Sequence, residues 1–415
     1  MRMIGTVVRG VRAPILKAGD DLAGIALASV LAASKESKAP LRDRDVVGVT
    51  ESALARTQGN FATLGQIAAD VRAKIPAGPD GRRVAGIVLP IQSRNRFSLL
   101  LQGIAMGVDK LYIQLAYPAD EVGNVLISPD MIEEKGINPY TDVITEARFR
   151  ELFGEKVLHA FTGIDYVRLY GEMAQNAEIF LANDPREMLK RTENVIACDI
   201  HTRARTQRLL TAAGARTALT LADLLSAPVE GSGYNPEYGL YGTNMASEDS
   251  VKLLPRDCQA FVEEVAGRFL RATGKRIEVM IYGDGAFKDP VFGIWELADP
   301  VVSPGYTKGL VGKPNEIKLK YLADTQLKGV KGEEAAEAAR EAIRNKARDL
   351  TGDISAQGTT PRRIMDLLGS LCDLTSGSGD KGTPIVWVQG YFDSYADETY
   401  LSSQFSVFRT DRKII

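Results

Sequence analysis

Asp165 in Phe161-Thr-Gly-Ile-Asp165-Tyr166 and Asp284 in Ile281-Tyr-Gly-Asp284-Gly285 each follow an apolar stretch and stand beside glycine. A carboxylate held at a strand end among small residues can coordinate a hard cation, and two such groups with phosphate and water suit magnesium or manganese. Taken singly, either aspartate is more often a turn former or a helix N-cap. The segment Ser376-Gly-Ser-Gly-Asp-Lys-Gly-Thr383 adds glycines, hydroxyls, backbone N–H groups and Lys381, a set suited to cradling phosphate. It lacks the GxxxxGK[ST] spacing of a Walker loop and leads into a strand rather than a helix, and glycine and serine clusters also mark plain turns. Lys17 and Arg56 place cations near strand edges, where they could neutralise a polyphosphate.

Other chemistries find little support. His159 and His201 are too few and too far apart for a histidine-rich metal site or a triad; His159 reads as a core group or one that supports a site from behind, and His201, at a strand end, faces a ligand or belongs to a helix cap. Cys198, Cys258 and Cys372 lack CxxC partners, which argues against a disulfide framework or a cysteine-rich zinc site and fits a reducing cytoplasm. The 51 Lys plus Arg residues nearly balance 53 Asp plus Glu, so net charge gives no reason to expect nucleic acid or a membrane. No apolar run approaches the ~20 residues that span a bilayer, and the first residues alternate like a strand rather than forming a signal peptide. With 415 residues, 45% hydrophobic and 25% charged, the chain can fill two or three cores.

Periodicity supplies the elements around these groups. Residues 4–8 read as a strand. Pro14 to Leu22 forms a turn into a helix to about Ala33, capped by Asp20 or Asp21. Asp45–Thr50 is a strand running into Glu51-Ser52-Ala53-Leu54-Ala55-Arg56, which puts polar groups at its C-terminal edge. Strand Val84–Ile91, helix Ser98–Met106 and strand Lys110–Leu115 make a βαβ-like unit flanked by polar loops at 92–96 and 117–124. The alternation resumes from Ala177 to about Leu225 and predicts an inserted module. The Gly/Tyr/Asn-rich stretch 231–244 reads as a long loop and candidate lid. Helix 256–272, strand 276–282, a charged helix over 332–350 and strand 385–388 complete a mixed α/β (α+β) pattern. The expected divisions are 1–176, 177–250 and 251–415.

Taken in order, these segments resemble the coenzyme F420-0:L-glutamate (gamma-glutamyl) ligases, which add glutamate to a deazaflavin precursor. Pro14 to Leu22 is similar to that family's N-terminal nucleotide-contacting turn, and Asp45 to Gly59 to its second motif. Gly163-Ile164-Asp165 is similar to the motif with a metal-binding aspartate, and Leu253-Leu254-Pro255-Arg256-Asp257 to a segment preceding the next strand. Asp284 matches a second metal aspartate, and Gly377 to Val386 the C-terminal glycine-rich loop and strand. The chain departs at Arg168, where the family has Asn, at Gly285, where it has Thr or Ser, and at Ser378, where it has Gln.

The resemblance implies a gamma-glutamyl-ligase-like fold and an acyl phosphate formed on a carboxylate, with GTP or ATP as phosphate donor, followed by attack of an amino group. Asp165, Asp284 and Ser378 would hold magnesium or manganese. Pro14, Ile15, Leu16, Lys17, Glu51, Ser52, Arg56, Arg168, Gly377, Gly379, Asp380, Lys381, Gly382 and Thr383 would meet the nucleotide. Arg94, Arg96 or Arg203 could recognise the substrate carboxylate through guanidinium–carboxylate pairing. The implied partners are a small-molecule carboxylate and an amino acid, in a cytoplasmic homodimer. Two alternatives stay open: the same reaction on a different acid and amine, suggested by the enlarged middle of the chain, or a non-catalytic nucleotide- or metabolite-binding protein.

Overall fold

The computed structural model describes residues 4–284, 299–357, 362–377 and 379–397. Its strands are β1 (Val7–Val11), β2 (Val46–Thr50), β3 (Phe61–Thr63), β4 (Val84–Val88), β5 (Lys110–Leu115), β6 (Ile144–Thr145) and β7 (Ala177–Leu181), followed by β8 (Asn194–Ala197), β9 (Thr217–Thr220), β10 (Asn244–Met245), β11 (Ser250–Lys252), β12 (Glu278–Tyr282), β13 (Gly305–Tyr306) and β14 (Ile385–Gln389). They form three sheets and two main cores, a mixed α/β architecture.

The first sheet has the order β1-β14-β2-β12-β13. Its central strands are apolar on both sides, and alternate residues enter opposite cores. Val47, Val49, Ile281 and Trp387 pack under the helices Leu22–Glu36 and Cys258–Thr273, while Val46, Met280, Tyr282 and Val386 pack under Ile364–Thr375. Gly48 is required at the second interface, because a Cβ there would stand 2.7 Å from the Cys372 sulfur. The strand register fixes where the connecting segments emerge. β12 runs parallel to β2 with Tyr282 opposite Thr50, and antiparallel β14 places Ile385 opposite both Val49 and Val11. The segments after β1, β2 and β12 and the loop before β14 therefore all leave at one sheet edge.

The second sheet has the order β6-β7-β5-β4-β8-β9, in which all but β6 are parallel. The parallel strands read third, second, first, fourth, fifth along the chain, a doubly wound order that reverses between β4 and β8. Ile87, Leu111 and Ile113 face one side with helices Leu64–Lys74, Ser98–Met106 and Tyr166–Met173; Val88, Phe180, Val195 and Leu210 face the other. Helix Leu64–Lys74 begins with a reciprocal cap in which Thr63 and Gln66 satisfy each other's backbone N–H. The short sheet β10-β11-β3 joins the cores: the chain leaves the first core after β3 and returns through β11, which pairs with β3.

The expected module at 177–250 does not stand apart from the segment before it. That stretch supplies β7, β8 and β9 to a sheet whose other strands come from 84–145, so the inserted core spans roughly 64–249. Segment 231–244 is not a lid. Asn235 is buried and donates to the carbonyls of Leu254 and Pro255, and Gly233 N–H donates to Phe61 at 2.6 Å. The charged helix stops at Arg344. Among the described residues no helix is long and apolar enough to cross a membrane.

Candidate functional site

At the shared edge of the first sheet lies an open cleft of about 440 Å3, lined by 13–16, by Thr50, Ser52, Ala53 and Arg56, and by the loop from Ser376 to Pro384. Backbone bonds knit these chain-distant segments together. Ala13 N–H donates to Gly382, Thr50 N–H to Pro384, and Gly19 N–H to Thr57. Within the loop, Gly377 N–H donates to Thr383 Oγ1 at 2.9 Å, and Gly379 and Gly382 adopt φ of 95° and 62°, where a side chain would be strained. Ile15, 90% exposed, offers an apolar wall at the mouth, and exposed Arg56 a cation.

The cleft gathers Pro14, Ile15, Leu16, Ser52, Arg56, Gly377, Gly379, Gly382 and Thr383 of the anticipated nucleotide set. Lys17 and Asp380 belong to the same segments but do not line it. Lys381 folds across Gly377, where a Cβ would collide with it, and lines a neighbouring cleft with Arg9 and Arg12. Ser378 and Gly285 lie outside the described residues. Glu51, expected at the nucleotide, turns inward instead: both its carboxylate oxygens accept from Lys252 Nζ, at 2.7 and 2.6 Å, and both side chains are buried. Burial raises the Glu51 carboxyl, with the Lys252 charge opposing it.

Beside Glu51 stands an acidic pair at the end of β12. Arg96 Nη1 donates to Asp299 Oδ1 at 2.7 Å, its other terminal nitrogen donates to Asp284 Oδ2, and Asp284 N–H donates to Asp299 Oδ2 at 2.8 Å. Gly283 makes this possible, since a Cβ there would strike the Asp299 carboxylate and touch Glu51. Burial, and then the Asp299 charge, raise the Asp284 carboxyl. Burial alone would lower the Arg96 guanidinium, but Asp299 and Asp284 outweigh it and hold Arg96 firmly charged. Arg96 comes from the loop after β4, so it carries a cation from the second core into the edge of the first.

Asp165, expected to hold a metal with Asp284, does not join this group. It caps helix Tyr166–Met173. Oδ1 accepts from Arg150 Nη2 at 3.1 Å and Arg168 N–H at 3.0 Å, and Oδ2 from Arg150 Nη1 at 2.6 Å and Val157 N–H at 3.1 Å. Four donors leave a carboxylate little capacity for a metal. Arg168 pairs with Glu172 on the surface, Arg94 is exposed, and Arg203 donates to the Ile200 carbonyl while lying 4.8 Å from the Tyr241 ring. None of these three lines the cleft. His159 Nδ1 accepts from Thr162 N–H in a local turn. Among the described residues no three carboxylate, histidine or cysteine side chains converge to hold a metal ion.

Sequence reasoning missed Lys252 and Asp299. Lys252 sits in the alternation Ser250-Val251-Lys252, where nothing marks a lysine for burial, and Asp299 reaches Asp284 only through folding. No curated protein matches the chain. The family model for F420-0:gamma-glutamyl ligase matches residues 10–390, a span that begins in β1, ends just past β14 and takes in both cores. With cleft, acidic pair and inserted core all inside that match, the chain belongs to the F420-0:gamma-glutamyl ligase family.

Proposed function

We propose that this ligase joins a carboxylate to the amino group of an amino acid in a gamma-glutamyl-type amide, with a nucleoside triphosphate held in the cleft between 13–16, 50–56 and 376–384. The observation that carries the reading is the convergence of these three segments, far apart in the chain, at one edge of the first sheet. In the first step a carboxylate oxygen attacks the terminal phosphorus and the nucleoside diphosphate leaves, forming an acyl phosphate. In the second the amine nitrogen attacks the acyl carbon, inorganic phosphate leaves, and the nitrogen gives up its proton. Such chemistry needs positioning and charge neutralisation more than a protein nucleophile. Of the residues lining the cleft, Arg56 would pair with phosphate oxygens, Ser52 one helical turn before it would donate a hydroxyl, and Pro14, Ile15 and Leu16 would support the base. F420-0 and glutamate are the acid and amine that family membership favours; the inserted core over 64–249 favours testing others.

The experiment is acceptor-dependent phosphate release from GTP and ATP, with F420-0 plus glutamate and with a panel of other acids and amino acids. Arg56→Ala should lower turnover about 100-fold, the scale seen when one preorganised donor to a developing charge is removed, with thermal stability unchanged. Absence of acceptor-dependent release with every pair, or full turnover in both Arg56→Ala and Ser52→Ala, overturns the reading.

A further inference from the structure

Two carboxylates side by side offer the kind of oxygen ligands that a divalent cation takes. Here a guanidinium takes that position. Arg96 spans the pair, 2.7 Å from Asp299 Oδ1 and bonded to Asp284 Oδ2, while the Asp284 N–H closes the ring on the remaining Asp299 oxygen. Its side chain is only 15% exposed. Its loop is pinned to the second core, with Gln92 N–H donating to Asp120, Ser93 N–H to the Tyr170 hydroxyl and Arg96 N–H to Ser93 Oγ. Arg96 is thus presented by a built loop rather than draped from the surface.

A divalent ion bridging Asp284 and Asp299 would meet that guanidinium at contact distance. The Arg96 and Asp299 side chains are 15% and 1% exposed and Asp284 28%, and in that partly dry setting repulsion between a double and a single positive charge disfavours seating both cations on the pair. Asp165 offers no alternative seat, because four donors already hold it. Neither Arg96 nor either aspartate lines the cleft, but Gly283 lies beside Glu51, which begins the helix carrying Ser52 and Arg56 to the cleft wall. A polyphosphate there would give Arg96 a second anion to engage.

We propose that Arg96 is the resident counter-cation of the ligase site, closing the Asp284–Asp299 pair to free divalent ions so that a metal enters only as part of a metal–polyphosphate complex. The role of the polyphosphate rests on the cleft binding a nucleotide; the closure by Arg96 does not.

The test is titration of the full chain with Mn2+ alone, read by calorimetry and by the electron paramagnetic resonance of the free ion. Wild type should show no stoichiometric site that depends on Asp284. Arg96→Gln should create one, at least tenfold tighter than any in wild type, and Arg96→Gln/Asp284→Asn should lose it. A wild-type site abolished by Asp284→Asn overturns the proposal and requires no folded Arg96 variant. A folded Arg96→Gln that gains no site also overturns it, with Arg96→Met as the second variant if Gln does not fold. Mn2+ with GTP or ATP forms a separate arm: binding restored in wild type supports entry as a complex. Nucleotide that fails to bind with or without metal refutes the cleft reading, while the nucleotide-free arm still decides the closure.

Discussion

Asp165 and Asp284 look alike in the chain, each an aspartate after an apolar stretch and a glycine, yet they end in opposite situations. Asp165 lies wholly within the inserted core, where Arg150 and two backbone N–H groups complete its coordination and it caps a helix. Asp284 lies where the two cores meet, its partners being Arg96 from the inserted core and Asp299 from the first. One carboxylate is finished by its own neighbourhood; the other is balanced by a cation supplied from the other core. What separates them is the set of groups folding brings to each, and the meeting of the two cores is what makes the second site.

The contrast is most exposed to challenge at that meeting. Lys252 neutralises Glu51 beside the acidic pair, and Lys252→Ala would leave a buried, unpaired carboxylate. Urea unfolding should show a loss of about 3–5 kcal/mol; a loss below about 1 kcal/mol, the scale of exposed pairs, would mean that Glu51 finds another cation and that the network is looser than the contacts indicate.

Within the inserted core, Asp165→Asn should lower stability by about 2–3 kcal/mol, because charge-assisted bonds from Arg150 become weaker neutral ones. Turnover per folded molecule should stay within twofold of wild type. A folded Asp165→Asn protein with turnover cut a hundredfold would return Asp165 to the chemistry and erase the contrast.

A subtler effect is due in acid. Burial alone would raise the Asp165 carboxyl, but the Arg150 bonds and two backbone N–H groups hold it below the usual aspartate range. A carboxyl lowered on folding adds stability above its unfolded value, near ~3.9, and that contribution vanishes as pH falls through the folded value. The stability gap between wild type and Asp165→Asn should be flat from about pH 5 to 8 and narrow below about pH 4, where unfolding curves at stepped pH will read it. A gap that stays constant down to about pH 3 would mean that the charge on Asp165 is not what stabilises.

Part of the cleft was legible in the chain because local pattern suffices for it. A strand ending in Thr50, the polar residues Ser52 and Arg56 just after it, and a glycine-rich loop entering β14 are each short-range features, and the structure brings all three to one cleft, with Ser52 and Arg56 on a helix. Even the inward turn of Glu51 has a sequence signal. At about 100° per residue, Ser52 and Arg56 share a helical face while Glu51 and Arg56 point about 140° apart. The helix 98–106 likewise sits where its apolar spacing predicts.

Composition and periodicity suffice for the apolar strands, the helices Leu22–Glu36, Ser98–Met106 and Cys258–Thr273 and the glycine-rich loop, since these depend on neighbours a few residues away. The sequence reading does not include helices Leu64–Lys74, Tyr166–Met173 and Ile364–Thr375. Folding in three dimensions settles that β4 and β5 share a sheet with β7, β8 and β9, that Lys252 is buried against Glu51, and that Arg96 closes the pair formed by Asp284 and Asp299. Those outcomes depend on pairings between segments up to about 200 residues apart, and the charge a carboxylate meets is set by whatever folding places beside it, which local pattern does not encode.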